Sequence, residues 1–367
     1  MENPPTIRDK ERKFLLDPYL DWAEGQGVPI HEDFAIDMLK VDAAPWARFG
    51  MNGAIIHLKG RDDFLTTFLF ELKPGQASAP VQHIYEEVIY VLAGHGSTTV
   101  ETEDGTHSFE WGPRSLFSVP LNARYRHFNG SGTEPVRLAA TNNLTFPFNL
   151  YRREEFIWDN PMQFPDRLGG TNYFAGEGEY IEVLQGRHQW ETNFVSDLAG
   201  FELKAMPTRG AGGTSMRFIL ADGSVGCHCS EMPPGTYKKG HRHQNGVVIH
   251  AVTGKGYSLL WYGGEKDFHR ADWEHGVIYA PPDAMFHQHF NISPEPSRYL
   301  AIQMGSVRYP MTQGKLDIWR PDGMFAKTVD EGGMQIEYDA QDPRIHTLWI
   351  DEMKKAGVEP KMSDYIS

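Results

Sequence analysis

Two short stretches decide how this chain is read: Gly240-His-Arg-His243 and Met285-Phe-His-Gln-His-Phe-Asn291. Strand side chains alternate with a period of two, so histidines one residue apart leave an extended segment on the same face. A third histidine from a strand paired nearby would complete a facial set of neutral nitrogen donors. A β-barrel can hold a divalent transition metal in this way and keep coordination positions open for substrate.

Working outward, the 367 residues are enough for two or three domains with a buried core. Aromatic residues at 12%, with 37 glycines and 24 prolines, favour β-structure rich in turns. A net charge of −14 argues against a nucleic-acid or anionic-membrane surface, either of which needs a basic footprint. No apolar run reaches membrane-spanning length, and the charged MENPPTIRDKERK start lacks a signal-peptide core. The two cysteines, Cys227 and Cys229, are too few for a disulfide scaffold and read as buried core thiols in a reduced, cytoplasmic setting.

The chain repeats itself. At an offset of 162 residues Trp111 meets Trp273, Pro120 meets Pro282, His127 meets His289 and Asn129 meets Asn291. At an offset of 160, Pro74-Gly75 meets Pro234-Gly235, His83 meets His243 and Gly94 meets Gly254. A period this long means duplicated domains. Strands are expected at 64–72, 87–92, 97–101, 115–119 and 137–141 in the first copy. In the second they are expected at 216–220, 225–231, 246–252, 257–261, 276–280 and 298–303. The fold class is therefore all-β, two tandem jelly-roll barrels with short helical segments at the termini and linker. The expected divisions are an N-terminal arm (1–44), a first barrel (45–150), a linker (151–200), a second barrel (201–310) and a C-terminal extension (311–367). In the extension, Asp342-Pro343 opens a helix with a stripe of Ile345, Leu348, Trp349 and Met353, and Gly357 stops it. Exposed barrel edges and the terminal amphipathic segments suggest a homo-oligomer.

The second copy resembles the cupin superfamily. Gly235, His241, His243 and Gly254 fall on that family's first motif; Gly276, Pro282, His287 and Asn291 fall on its second, with Ala284 in place of an inner glycine. The resemblance implies that His241, His243 and His287 are metal ligands. Where the motif has a glutamate this chain has Val247, so the implied centre is a three-histidine site, similar to those of gentisate-type and thiol-type cupin dioxygenases. His289 faces the same interior and is assigned as an acid/base or orienting group, with a fourth ligand as the alternative. Lys238, Lys239 and Arg242 border the proposed mouth. His250 breaks parity with Val247 and is expected to pack outside the barrel. In the first copy Val81 and Tyr125 replace two histidines while His83 and Glu87 remain. That barrel reads as structural, or as a polar, metal-free pocket lined by His83, Glu87, Tyr90, Tyr125 and His127.

The functional expectation is a metal-dependent dioxygenase acting in the C-terminal barrel on a small aromatic or enolisable carboxylate or diketone. Fe(II) is the foremost metal, with Zn, Mn, Ni and Cu compatible with the same imidazoles. Loss of the carboxylate raises the charge of the centre and favours an anionic substrate. The alternatives are a metal-dependent lyase, decarboxylase or isomerase, and a binding protein without turnover.

Overall fold

The structure is a computed structural model that describes residues 17–61, 64–170, 172–184, 187–243, 246–310, 323 and 327–366. Each half folds as two facing sheets. In the N-terminal barrel the strands Met51–Leu58, Thr66–Leu72, Val136–Asn142 and Glu87–Ala93 lie side by side in the larger sheet. Arg124–Asn129, Gly96–Thr102 and Gly105–Trp111 form the smaller one. The C-terminal barrel repeats this with Thr214–Leu220, Val225–Met232, Ser297–Met304 and Val248–Thr253 facing His269–Trp273, Gly256–Trp261, Phe286–Asn291 and Gly240–His241. The chain is thus the all-β pair of barrels that the repeat implies. Strands missing from the sequence reading include Gly105–Trp111 and His269–Trp273, whose outward positions are charged or polar, so that little apolar alternation marks them.

The duplication extends to single positions. Trp111 packs across Gly96 in one barrel and Trp273 across Gly256 in the other; a Cβ on either glycine would fall within 2.2 Å of a backbone oxygen on the neighbouring strand. Asn122 and Ala284, one repeat apart, both hold left-handed backbone (φ 59° and 62°). Such a turn favours glycine, which explains the resemblance motif's glycine there, and alanine tolerates it at some cost.

The two barrels exchange edge strands. Ala35–Asp37, from the N-terminal arm, pairs with Val277–Tyr279 of the C-terminal barrel. Phe194–Val195, from the linker, pairs with Leu116–Phe117 of the N-terminal barrel. Between the larger sheets lies a shared core that includes Leu69, Val88, Tyr90, Leu92, Phe218, Cys227, Cys229 and Ile302. His250 also lies here, buried, with Nε2 3.1 Å from the Thr141 hydroxyl of the other barrel. It packs outside its own barrel, as parity requires.

The helix Pro343–Ala356 begins at Asp342, whose carboxylate accepts the Arg344 amide, and stops at left-handed Gly357. Ile345, Trp349 and Met353 bury against Tyr237, Tyr257 and Phe290 on the smaller C-terminal sheet, each contributing about 1.5–3 kcal/mol. Leu348, expected in the stripe, is 43% exposed. Buried positions at i, i+4 and i+8 make a strip too narrow to include i+3. Just ahead of this helix, Gln335–Ile336 adds a strand beside Gly240–His241.

Candidate metal centre

The strand Phe286–Asn291 pairs with Gly256–Trp261 on one side and with His241 on the other, His241 standing directly opposite His287. Every residue of Phe286–Asn291 is buried. His287 and His289 therefore face the barrel interior together, and His241 meets them from across the ladder. The three offer ring nitrogens that all lie within 4.8 Å of one another.

The tautomers follow from their outer partners. His241 Nδ1 lies 3.1 Å from the Lys239 carbonyl and His287 Nδ1 3.3 Å from the Met285 carbonyl. A carbonyl can only accept, so each Nδ1 carries the proton and each Nε2 presents a lone pair. His289 Nδ1 sits 2.8 Å from Ser258 Oγ and 3.1 Å from Tyr279 Oη, and Ser258 Oγ also accepts the Trp273 indole N–H at 3.1 Å. Burial, above all, holds all three imidazoles well below the usual histidine range, with neighbouring cations and histidines adding to it. Neutral, oriented, inward-facing imidazoles are what a divalent transition metal requires.

His243 is placed differently from the expectation. The strand ends at His241, so period-two alternation does not carry to residue 243. Its ring still lies 4.7 Å from that of His287 and 5.8 Å from that of His241, centroid to centroid. The structure thus gathers all four sequence-singled histidines, with His241, His287 and His289 the tightest set. Val247, at the motif's glutamate position, is 2% exposed and lines the same cavity.

That cavity is small, about 50 Å³, and cationic. The smaller sheet contributes the histidines; the facing sheet contributes Arg217, His228 and Tyr299, and Arg209 enters from the turn Pro207–Arg209. Lys238 is buried and donates from Nζ to the Tyr299 hydroxyl at 3.0 Å. Among the described lining residues there is no aspartate or glutamate. Burial, then the neighbouring Arg187, pushes the Arg209 guanidinium down to about 9, and burial with Arg187 and Arg209 lowers Arg217 well below its usual value. A guanidinium is not deprotonated in proteins, so both count as cations here. These residues were not legible as site residues before folding. Of the mouth residues singled out, only Lys238 turns inward. Lys239 pairs with Glu337, and Arg242 lies 4.7 Å over the Phe286 ring.

The N-terminal barrel has filled the corresponding space. Val81 bridges Tyr125 just as His241 pairs with His287. The Tyr125 hydroxyl donates to Glu87 Oε1 at 2.6 Å and lies 3.0 Å from His83 Nε2. Burial alone would raise the Glu87 carboxyl, but hydrogen bonds from His83 and Tyr125 outweigh it and bring it below its ordinary value. His127 repeats the His289 arrangement, 2.8 Å from Thr98 Oγ1, which accepts from Trp111. Tyr90 does not belong to this group: it packs in the shared core, its ring 5.8 Å from that of His250. Deeper inside, strand register aligns Ile55, Phe68, Phe70 and Leu138 of this barrel with Arg217, His228, Ser230 and Tyr299 of the other. One interior is apolar and the other polar and basic.

Comparison with known proteins agrees with this architecture. The cupin domain family matches residues 68–142, which run from within Thr66–Leu72 to the end of Val136–Asn142 in the N-terminal barrel. The N-terminal barrel carries a cupin domain, and the repeat of its frame in the second barrel gives the chain a bicupin layout. The match falls on the barrel in which Val81 and Tyr125 stand at two of the ligand positions. No curated protein matches this bicupin. Among solved structures, a serine-to-alanine mutant of Bacillus subtilis oxalate decarboxylase aligns at 15% identity over 74% of this chain and 77% of its own, with a TM-score of 0.47. The formate complex of Lactobacillus farciminis oxalate decarboxylase aligns at 10% identity over 76% and 87%, with a TM-score of 0.48. Likeness at this level does not bear on what the bicupin acts on. Among the described residues no helix is long and apolar enough to cross a membrane.

Proposed function

We propose that the bicupin is a metal-dependent lyase, most simply a decarboxylase, acting on a small anionic carboxylate in the C-terminal barrel. The observation that carries this reading is the cavity itself, where a histidine cluster faces Lys238, Tyr299 and two arginines with no described acidic residue on its lining. His241, His287 and His289, flanked by His243, would hold the divalent metal, which when bound supplies Lewis-acid polarisation of a substrate oxygen.

The chain's own groups account for the rest. Arg209, Arg217 and Lys238 attract and orient an anion, and in a water-poor cavity their field favours charge that develops on the substrate. When the carbon–carboxylate bond breaks, its electron pair stays on the adjacent carbon and carbon dioxide leaves. A proton must then reach that carbon. Lys238 Nζ, hydrogen-bonded to Tyr299 Oη, is a buried donor pair in place to deliver it, and solvent restores the proton afterwards. The backbone of Lys238 is fixed for this, its N–H on the His289 carbonyl at 3.0 Å and its carbonyl taking the Gln288 amide at 2.8 Å.

Cavity size also favours a small substrate over an aromatic one. A dry cavity that accepts benzene measures about 150 Å³, against about 50 Å³ here. The dioxygenase reading keeps one observation in its favour, the all-histidine cluster left by Val247. Carbon dioxide release and oxygen consumption, measured on metal-loaded protein with short carboxylates, separate the two. Release without oxygen uptake supports the lyase; stoichiometric oxygen uptake overturns it. His241→Ala should lose bound metal by elemental analysis, whereas His83→Ala should not.

A further inference from the structure

The two barrels differ in what lies behind their smaller sheets. The outward positions of Arg124–Asn129, namely Arg124, Arg126 and Phe128, are exposed or half-buried. One repeat later, Phe286, Gln288 and Phe290 are all buried. Part of that cover comes from beyond the barrel, where Ile345, Trp349 and Met353 of the C-terminal helix pack with Tyr237, Tyr257 and Phe290. Gln288 stands between His287 and His289 on its strand, so it points away from the cavity that they face. Its Nε2 donates to the Lys238 carbonyl at 2.8 Å and to Gln341 Oε1 at 3.0 Å. Gln341 in turn donates to the Tyr237 hydroxyl at 2.7 Å, and that hydroxyl lies 3.1 Å from His346 Nδ1. The sheet edges differ as well. His241 has His287 on one side and Gln335 on the other, and the Arg242 amide donates to the Met334 carbonyl at 3.0 Å. Val81, one repeat earlier, pairs with Tyr125 and, among the described residues, with no strand beyond it.

We propose that residues 327–366 are a clamp coupled to the metal centre, with Gln335 and Gln341 as positioning residues that act through His241 and Gln288. This rests on the metal-centred reading above and gives the C-terminal extension a part in metal binding. Ligands serve a metal only when held within about 0.5 Å of the productive geometry. Gly240–His241 is a strand of two residues, and at a sheet edge its outer N–H and C=O groups would lack partners. Gln335–Ile336 pairs it on that side. On the next strand, the Gln288 side chain ties the backbone between His287 and His289 to Lys238 and to the extension. Ligand geometry on the inner face and docking on the outer face thus share the same two strands. Such coupling is reciprocal: bound metal tightens the extension by the factor by which the docked extension tightens metal. The barrel with Val81 and Tyr125 at its ligand positions has, among the described residues, neither the added edge strand nor the buried outer face.

Hydrogen exchange followed by mass spectrometry, on full-length protein stripped of metal and then loaded with Zn(II), tests this beside chelator-competed Zn(II) titration. Zn(II) should slow exchange across Gln335–Ile336 and Pro343–Ala356 about fivefold or more, the low end of coupling between sites. The helix Pro18–Gly25, packed in the N-terminal core, should exchange at an unchanged rate. Gln341→Met removes both hydrogen bonds of a half-buried side chain and keeps its bulk. It should weaken Zn(II) affinity about fivefold or more and reduce the slowing to match. Trp349→Ala, which loosens the helix without touching either glutamine, should weaken affinity in the same direction. Zn(II) bound by the wild type and lost in His241→Ala, with exchange in the extension unchanged, overturns the clamp and leaves the metal reading standing. So does equal slowing in Pro18–Gly25, which marks a general stabilisation. Wild-type affinity in both Gln341→Met and Trp349→Ala also overturns the clamp. Protein that binds no Zn(II) overturns the metal reading and the clamp with it.

Discussion

Replacing Ser258 with alanine separates the two things its hydroxyl does. Ser258 Oγ accepts the Trp273 indole N–H at 3.1 Å and lies 2.8 Å from His289 Nδ1. Alanine leaves that indole N–H without its acceptor where Trp273 is 3% exposed, a loss of about 1–3 kcal/mol. His289 keeps the Tyr279 hydroxyl at 3.1 Å but loses the shorter of the two contacts that orient its ring. If His289 Nε2 holds the metal as proposed, loosening this outer contact should weaken metal binding about ten- to a hundredfold. Thr98→Ala removes the equivalent hydroxyl from Trp111 and His127 in the other barrel, where the Tyr125 phenol stands opposite Val81. It should lower stability by a similar amount and leave metal affinity unchanged. Thermal melting reads the first quantity and chelator-competed metal titration the second. Metal affinity equal to wild type in Ser258→Ala, with melting lowered as in Thr98→Ala, would refute the placing of His289 on the metal. Ser258→Thr installs the sister barrel's residue and should restore both properties.

Three further outcomes follow from the same geometry. Val247→Glu puts a carboxylate into the cavity beside the histidines; metal affinity in chelator competition should rise, and oxalate affinity should fall by about tenfold or more as the net charge drops. Burial lowers His250 to about 3 and His127 to about 4, so the unfolded chain binds more protons than the folded one between those values and about 6.5. Stability is then full above pH ~6.5 and is lost as pH falls; in denaturant titrations at pH 7.5 and 5.0, His250→Leu should shrink the difference by about 2 kcal/mol, and an unchanged difference counts against the assignment. Trp349→Ala, at the centre of the C-terminal helix contact, should cost about 3–5 kcal/mol and free the helix to proteolysis, measured by limited digestion.

The histidine pairs and the repeat were legible because they are local: spacing, turn glycines and prolines survive in one dimension. The basic half of the cavity was not. Arg217 and His228 sit on strands that read as ordinary β-segments, and only the pairing of Arg217 with His228, and of Ser230 with Tyr299, shows them sharing one interior. Aligning interior positions of the two copies, Ile55 against Arg217 and Phe68 against His228, would have flagged them, but that alignment needs strand register. His243 failed the period-two argument for a related reason, since the strand stops one residue after Gly240. Gln335 could not be connected to the site at all, because its place beside His241 is set by pairing across nearly a hundred residues.

The exchanged edge strands bear on why a barrel without its metal ligands persists. Ala35–Asp37 completes the C-terminal barrel's sheet, yet it is made before any of that barrel. Phe194–Val195 completes the N-terminal sheet only after the linker has been made. During synthesis the N-terminal sheet therefore waits on the linker, the C-terminal sheet takes up a strand made before it, and a fragment cut ahead of the linker would leave an open edge on both. Deletion of the N-terminal half would remove Ala35–Asp37 and expose the edge at Val277–Tyr279. The half that carries Val81 and Tyr125 at the ligand positions thus still supplies the strand that closes its sister's sheet.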